Sequence, residues 1–232
     1  MNPNLEFPYL IETHLHTKEG SACGAATGEE QAIARKADGY DTIIVTDHFY
    51  RGNTAPSRDL PWEEYVNQFC RGYENAKKVG DEIGLTVLFG LEDNFHGAEF
   101  LIYGISKEWL LAHPEMIHWS PREEYLHIHN AGGYVVQAHP FRERDYLEGI
   151  AVYPKHIDAV EAINSSQSKL MNDHALWFAK EYDFPVSAGS DIHSKRPILG
   201  GMRTKEKINT IEDYIALLRD RKPCQLIEVH GN

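Results

Sequence analysis

The chain has 232 residues, 13 of them histidine, and sets 23 Lys and Arg against 35 Asp and Glu for a formal charge of −12. Its length and 42% hydrophobic content suffice for one sizeable core, and so acidic a surface argues against nonspecific binding to nucleic acid or anionic membrane. An anionic substrate stays open, because bound divalent metals reverse the sign of the field inside a pocket.

No basic stretch followed by an apolar run opens the chain, and every apolar run is far short of the ~20 residues of a membrane span. Cys23, Cys70 and Cys224 are few, odd in number and scattered. Together these features predict a soluble, cytoplasmic protein with reduced thiols and no membrane association.

No repeat, low-complexity tract or linker divides residues 1–232, which read as a single domain of short apolar runs alternating with helical stretches. The first run, 9–11, leads into His14 and His16. A helix follows over 28–37, opened by a capping box of Thr27 and Glu30. The run at 42–45 ends in Asp47 and His48. Residues 62–83 read as the longest helix, with Tyr65, Phe69, Tyr73 and Ala76 at helical spacing. Runs at 86–89 and 100–103 come next, the first leading into Glu92. After a helix at 121–131, the run at 134–136 leads into His139, and a further run covers 159–163. A helix at 168–182, a run at 185–187 that leads into Asp191 and His193, and a helix at 210–219 complete the series. Short β-branched or aromatic runs preceded by Gly, Pro or Asp are the pattern of buried parallel strands. Their alternation with helices predicts an α/β fold, a compact and not necessarily complete barrel of roughly seven units.

Five strand candidates thus finish on groups that bind metals, and in an α/β barrel the C-terminal strand ends converge on one mouth. Residues i and i+2 of an extended chain share a face, so His14 with His16, and Asp191 with His193, each present two side chains to one cavity. A lone strand-end histidine is ordinarily a hydrogen-bonded structural residue, but that explanation would have to hold separately at five ends. Imidazoles mixed with carboxylates suit Zn, Fe or Mn. Seven or more ligands exceed what one catalytic zinc uses, so two or three divalent transition metals are expected, with a carboxylate such as Glu92 as the bridge.

At these residues the sequence resembles the PHP family, the polymerase and histidinol phosphatase domains. The opening HLH, the TDH around His48, the lone Glu92, the AHP around His139 and the closing SDIH occur in the family's order and span essentially the whole chain. The resemblance implies a distorted (β/α)7 barrel, a trinuclear site and hydrolysis of phosphate esters by metal-bound hydroxide. His14, His16, His48, Glu92, His139, Asp191 and His193 match ligand positions, and Asp47 matches a carboxylate expected to orient a ligand histidine. Two positions depart from the pattern. Where many members carry an Asp or His after the first motif, this chain has KEGSACG, in which Glu19 or Cys23 is the obvious substitute and Cys23 reads first as a plain loop thiol. Where many carry a second His, this chain has Glu99, a carboxylate equally able to bind metal. If both positions fail, the site holds two metals rather than three.

Arg142, just beyond His139, can fork onto phosphate oxygens or pair at the surface with a neighbour such as Glu143. Among the remaining histidines, His118 is the reserve ligand and His96 sits in a polar loop near Glu92; His113, His127, His129, His156, His174 and His230 read as structural. The expected function is a phosphoesterase acting on a small phosphorylated substrate, monoester or diester, without a stable nucleic-acid complex. Two rivals are an amidohydrolase-like C–N hydrolase, which by family pattern would carry a bridging lysine, and a non-catalytic metal-binding accessory domain.

Overall fold

The computed structural model describes residues 6–197 and 199–228. Its centre is a sheet of nine strands: β1 (Tyr9–Leu15), β2 (Thr42–Val45), β3 (Thr86–Phe95), β4 (Ala98–Tyr103), β5 (Tyr134–Ala138), β6 (Ala159–Asn164), β7 (Val186–Gly189), β8 (Met202–Thr204) and β9 (Cys224–Leu226). They lie in the order β7-β6-β5-β4-β3-β2-β1-β8-β9. The sheet curls until β7 reaches β1, where the Thr13 hydroxyl donates to the Ala188 carbonyl at 2.7 Å and the His16 N–H to the Ile192 carbonyl at 2.9 Å. The result is a nearly closed barrel.

The continuous apolar runs explain why the sheet closes. Strands β2, β4, β5 and β6 are buried at every residue, so both of their faces need cover. Ile11, Ile44, Leu101, Val136, Ile163 and Ala188, from six different strands, meet in one apolar cluster with Tyr214 and Leu218. Around the barrel lie α1 (Gly28–Ala37), α2 (Trp62–Phe69), α3 (Arg71–Ile83), α4 (Lys107–Ala112), α5 (Pro121–Asn130), α6 (Lys169–Glu181) and α7 (Ile211–Arg219), with a 3₁₀ turn at Pro114–His118. The capping box of α1 is formed, with Thr27 and Glu30 each accepting the other's backbone N–H. Among the described residues no helix is long and apolar enough to cross a membrane.

Pairings β1–β2–β3 and β5–β6–β7 are parallel, as the alternation of runs and helices predicts. The expected seven β/α units are corrected in two places. Strand β3 continues past residue 89 to Phe95, turns through His96 and Gly97 at φ of 55° and 91°, and returns antiparallel as β4. The polar stretch EDNF looks like loop, but pairing with β4 supplies its backbone donors and acceptors, and a two-residue turn leaves no room for a crossover helix. Strands β8 and β9, three residues each, add an antiparallel edge beside β1 and are too short to register in the sequence. The helix expected over 62–83 is also divided, at Cys70, where ψ of −8° tightens the turn.

The hairpin matters for the site. Because β4 runs opposite to β3, its first residues face the mouth, and Glu99 lies in register with Ala138, next to His139.

Candidate metal centre

The strand ends bring the eight candidate ligands into one cluster. His14 and His16, both fully buried at the end of β1, point their Nε2 atoms at each other across 3.0 Å. Glu92 Oε1 lies 3.3 Å from His14 Nε2, and Asp191 Oδ1 lies 3.2 Å from His16 Nε2. Glu92 stands at the centre, with Oε2 also 2.7 Å from His48 Nδ1 and Oε1 3.4 Å from His139 Nε2. Glu99 Oε2 approaches His139 Nε2 at 3.5 Å. Within these contacts four overlapping groups have ligand atoms within 4.8 Å of one another: His14, His16 and Glu92; His14, His139 and Asp191; His48, Glu92 and Glu99; and His16, His48 and His193.

The donor set fits divalent transition metals. Both oxygens of Glu92, Oε2 of Glu99, Nε2 of His139 and Nδ1 of His48 are buried without a hydrogen bond among the described residues. So many buried donors and acceptors without hydrogen bonds in one place are costly, and divalent cations held among these groups would satisfy them. His139 and Asp191 also hold φ at 25° and 57°, an uncommon region for residues other than glycine. The strain sits on two of the proposed ligands.

Around the ligands, hydrogen bonds determine which imidazole nitrogen is free. His14 Nδ1 donates to Glu161 Oε1 at 2.9 Å, which leaves the Nε2 lone pair directed at the cluster. The Ser21 hydroxyl gives its single proton to Asp47 Oδ1 at 2.7 Å, so its oxygen accepts from His16 Nδ1 at 3.0 Å and from the His48 N–H at 2.9 Å. His193 Nδ1 donates to the carbonyl of Asp191 at 2.8 Å. Asp47, expected to touch a ligand histidine, instead acts through Ser21; Thr17 anchors it further through its N–H and its hydroxyl, each at 2.6 Å. Glu161 makes the direct contact expected of Asp47, and it also accepts the His139 N–H and the Asn164 amide. A charged residue inside the apolar run AVEAIN was the available signal for it. Glu12, equally buried, accepts the N–H groups of His14 and Ser190 and locks β1 to β7.

The electrostatics follow from burial opposed by neighbours. Burial works against a charged His14, but Glu161, Glu92 and Asp191 prevail and raise its pKa well above the ordinary histidine range. Burial together with His48 and His193 lowers His16 well below that range. Burial would raise Glu92, yet His14 and His48 hold it well below the usual carboxylate range. Glu99 is raised by burial and by Glu92, against the pull of His139 and Arg142. Burial raises Asp47 to about 6 despite Thr17 and Ser21. Burial also opposes ionisation of Cys23, but hydrogen bonds from His193 and His48 bring the thiol down to about 6.

Several sequence expectations need correction or placement. Arg142 pairs neither with Glu143 nor with open solvent; its Nη2 lies 2.6 Å from Glu99 Oε2 and its side chain is mostly buried. Glu19 belongs to none of the ligand groups: its carboxylate accepts the Gly28 N–H at 3.0 Å at the start of α1, and the Asn75 amide. Cys23, read first as a loop thiol, is exposed and in no ligand group, and its pKa is lowered by His193 and His48. His118 and His96 are exposed and in no ligand group. His129 pairs with Asp158 and His127 stacks on Trp119, away from the site; His230 lies outside the described residues.

No family model matches the sequence, and no curated protein matches it. Solved structures do. A two-domain protein of Bacteroides vulgatus containing a predicted PHP-like metal-dependent phosphoesterase superposes at a TM-score of 0.69 and 15% identity, over 92% of this chain and 63% of that one. PsfC of Pseudomonas syringae gives 0.62 and 13%, over 95% and 91%. An amidohydrolase of Chromobacterium violaceum gives 0.55 and 15%, over 79% and 87%. The chain therefore has the fold of PHP-like metal-dependent phosphoesterases, which the amidohydrolase approaches, and it spans 63% of the length of the Bacteroides protein.

Proposed function

We propose that this chain is a metal-dependent phosphoesterase acting on a small phosphorylated substrate at the cluster of His14, His16, His48, Glu92, Glu99, His139, Asp191 and His193. The observation that carries this reading is Glu92, a buried carboxylate whose two oxygens have no hydrogen bond among the described residues and face His14, His16, His48 and His139. Glu92 would hold divalent metal together with those imidazoles. When bound, divalent metals supply Lewis acidity toward a phosphoryl oxygen and activate water as a nucleophile near neutral pH.

The chain's own residues then have distinct tasks. Glu161 and Ser21 fix the tautomers of His14 and His16, so that both Nε2 lone pairs face the cluster. Arg142 sits against Glu99 and opposes its protonation. The exposed rim near Cys23 and His193 leaves one side open to an incoming anion. An open cleft of about 490 Å³, lined by Asn94, His96, Tyr146 and Leu147, adjoins Glu99 through the Asn94 amide, 3.2 Å from Glu99 Oε1. That cleft offers room for the organic part of the ester.

The C–N hydrolase reading shares the barrel, but a carboxylate, Glu92, occupies the central place among the imidazoles where that reading expects a bridging lysine. A panel of phosphate monoesters and diesters, run beside a panel of amides and lactams, tests the assignment. Zn- or Mn-loaded protein should release product from at least one phosphate ester and lose that activity on chelation. Cleavage confined to the amide panel, or no turnover by metal-loaded protein, would overturn the reading.

A further inference from the structure

Away from the metal centre, helix α6 turns an apolar stripe outward. Its inner face packs on the barrel through Asn172, Ala175, Phe178 and Ala179. On the outer face Leu170 is 61% exposed and Trp177, seven residues on, is 59% exposed; Tyr182, just past the helix end, is 55% exposed. Single exposed apolar residues are ordinary, but two in line on one helix, one of them tryptophan, make a face. The polar residues beside the stripe are ordered about Trp177. Asp173 lies one turn before it and Lys180 one turn after it on one flank, and His174 and Glu181 take the corresponding places on the other. All four are exposed.

The charges of this face cancel, with Lys169 and Lys180 set against Asp173 and Glu181, in a chain whose formal charge is −12. Asp173 Oδ1 pairs with Lys169 at 2.5 Å, whereas Lys180 and Glu181 have no ion pair among the described residues. Such an order is complementary to itself. When two copies of α6 pack antiparallel about a two-fold axis at Trp177, the two indoles meet, Asp173 of each copy stands opposite Lys180 of the other, and His174 stands opposite Glu181. Leu170 then reaches past the far end of the other helix, beside Tyr182. A parallel pair would instead set Asp173 against Asp173 and Lys180 against Lys180.

We propose that this chain forms a homodimer through an isologous, antiparallel contact of α6 with Trp177 at its centre. The aromatic rings supply the buried area, and the flanking charges set the register and disfavour other partners. A helix of 13 residues is about 20 Å long, so the contact belongs to the small class, below about 1,200 Å² in total, and its association is reversible and in the micromolar range. The face also adjoins the candidate centre. The Phe141 ring stands edge-on to His174 at 5.6 Å, and Arg142 is the next residue, so the second copy covers the outer side of the turn that carries Arg142.

Sedimentation equilibrium of the full chain, from micromolar to submillimolar concentration, should show the mass rising from that of one chain toward twice that value. Trp177→Ala should stay monomeric over the same range. Exchange of charges tests the register. Asp173→Lys and Lys180→Asp should each self-associate about tenfold or more weakly than the wild type, because like charges then face each other. An equimolar mixture of the two should pair as tightly as the wild type, since each supplies the charge the other lacks. All three substitutions are at exposed positions, and circular dichroism should match the wild type. A wild type that stays monomeric throughout would overturn the proposal and assign the face to a different partner. Association that survives in Trp177→Ala, or a mixture no stronger than its two components alone, would overturn it as well.

Discussion

Asp47 shows how a single buried charge can position a candidate ligand it does not touch. Three hydrogen bonds from Thr17 and Ser21 converge on its carboxylate, and Ser21 relays the effect to His16. Burial still dominates and raises its pKa from 3.8 to about 6. The sign of the consequence is fixed. A carboxylate whose folded-state pKa is raised favours the folded state below pH 3.8, and that contribution fades as pH rises through about 6. In metal-free protein, the stability of the wild type relative to Asp47→Asn should therefore fall by on the order of 3 kcal/mol between pH 4 and pH 7. Urea unfolding of both proteins across that range measures it, and a difference independent of pH would show that Asp47 is not strained by burial. At this scale the convergence of the candidate ligands was legible, because His14, His48, Glu92, His139 and Asp191 all follow apolar runs whose ends meet at one mouth. Glu161 and Glu12 were not, since a carboxylate within a buried strand looks like a lapse in the apolar pattern until its imidazole or backbone partners are in view. Cys23 is a further case: its sequence position fitted a ligand, but the folded chain leaves it exposed and in no ligand group.

Among the elements, α3 is placed by glycines rather than by large apolar side chains. Helix α1 crosses it so closely that a Cβ on Gly28 would lie 1.9 Å from the Gly72 carbonyl oxygen. A Cβ on Gly72 would lie 1.9 Å from Thr17 Oγ1 and 3.0 Å from Asp47 Oδ2. Thr17 cannot swing aside without losing its hydrogen bond to Asp47. Alanine ordinarily favours a helix over glycine by about 1 kcal/mol, but Gly72 lies in the first turn of α3, where less of that gain applies, and the overlap is severe. Overpacking of this kind costs about 1–3 kcal/mol. Gly72→Ala should accordingly lower the thermal midpoint and weaken metal binding by displacing the Thr17–Asp47–Ser21 chain. A midpoint at or above that of the wild type in calorimetry would show that α3 shifts freely. The helices and parallel strands were readable here because each has its own periodicity and caps. The β3–β4 hairpin was not, because its turn is only His96 and Gly97 and its polar residues belong to the site rather than to solvent. Its consequence is large: antiparallel β4 delivers Glu99 to the mouth from the start of a strand, whereas the other strand-borne candidates follow a strand or lie near its end.

Across the whole molecule, the barrel is least tightly joined where β7 meets β1. There, among the described residues, β1 joins the segment after β7 through one isolated bridge, Leu15 to Ile192, with the hydrogen bonds of Thr13 and His16 and the Glu12 carboxylate, while β1 keeps its main ladder with β2 and β8. The candidate ligands span that join. His14 and His16 come from β1, Asp191 and His193 from the segment after β7, and Glu92 and His139 from strands further round the sheet. Cations held among them would link chain segments that have few other contacts. Since the unfolded chain offers no assembled site, metal at about 100 times its dissociation constant should stabilise the fold by about 2.7 kcal/mol. For a chain of this size that corresponds to a rise in the thermal midpoint of roughly 5 to 10 °C. Calorimetry of Zn-loaded and chelated protein should show the shift, and hydrogen exchange should place much of the added protection at the His16 amide, which bonds across the join to Ile192. In Glu92→Gln, which keeps the volume of the side chain but removes the bridging charge, both effects should be much reduced while the metal-free midpoint stays close to that of the wild type. Equal midpoints for loaded and chelated wild type, with metal demonstrably bound, would mean that the cluster does not hold the barrel closed.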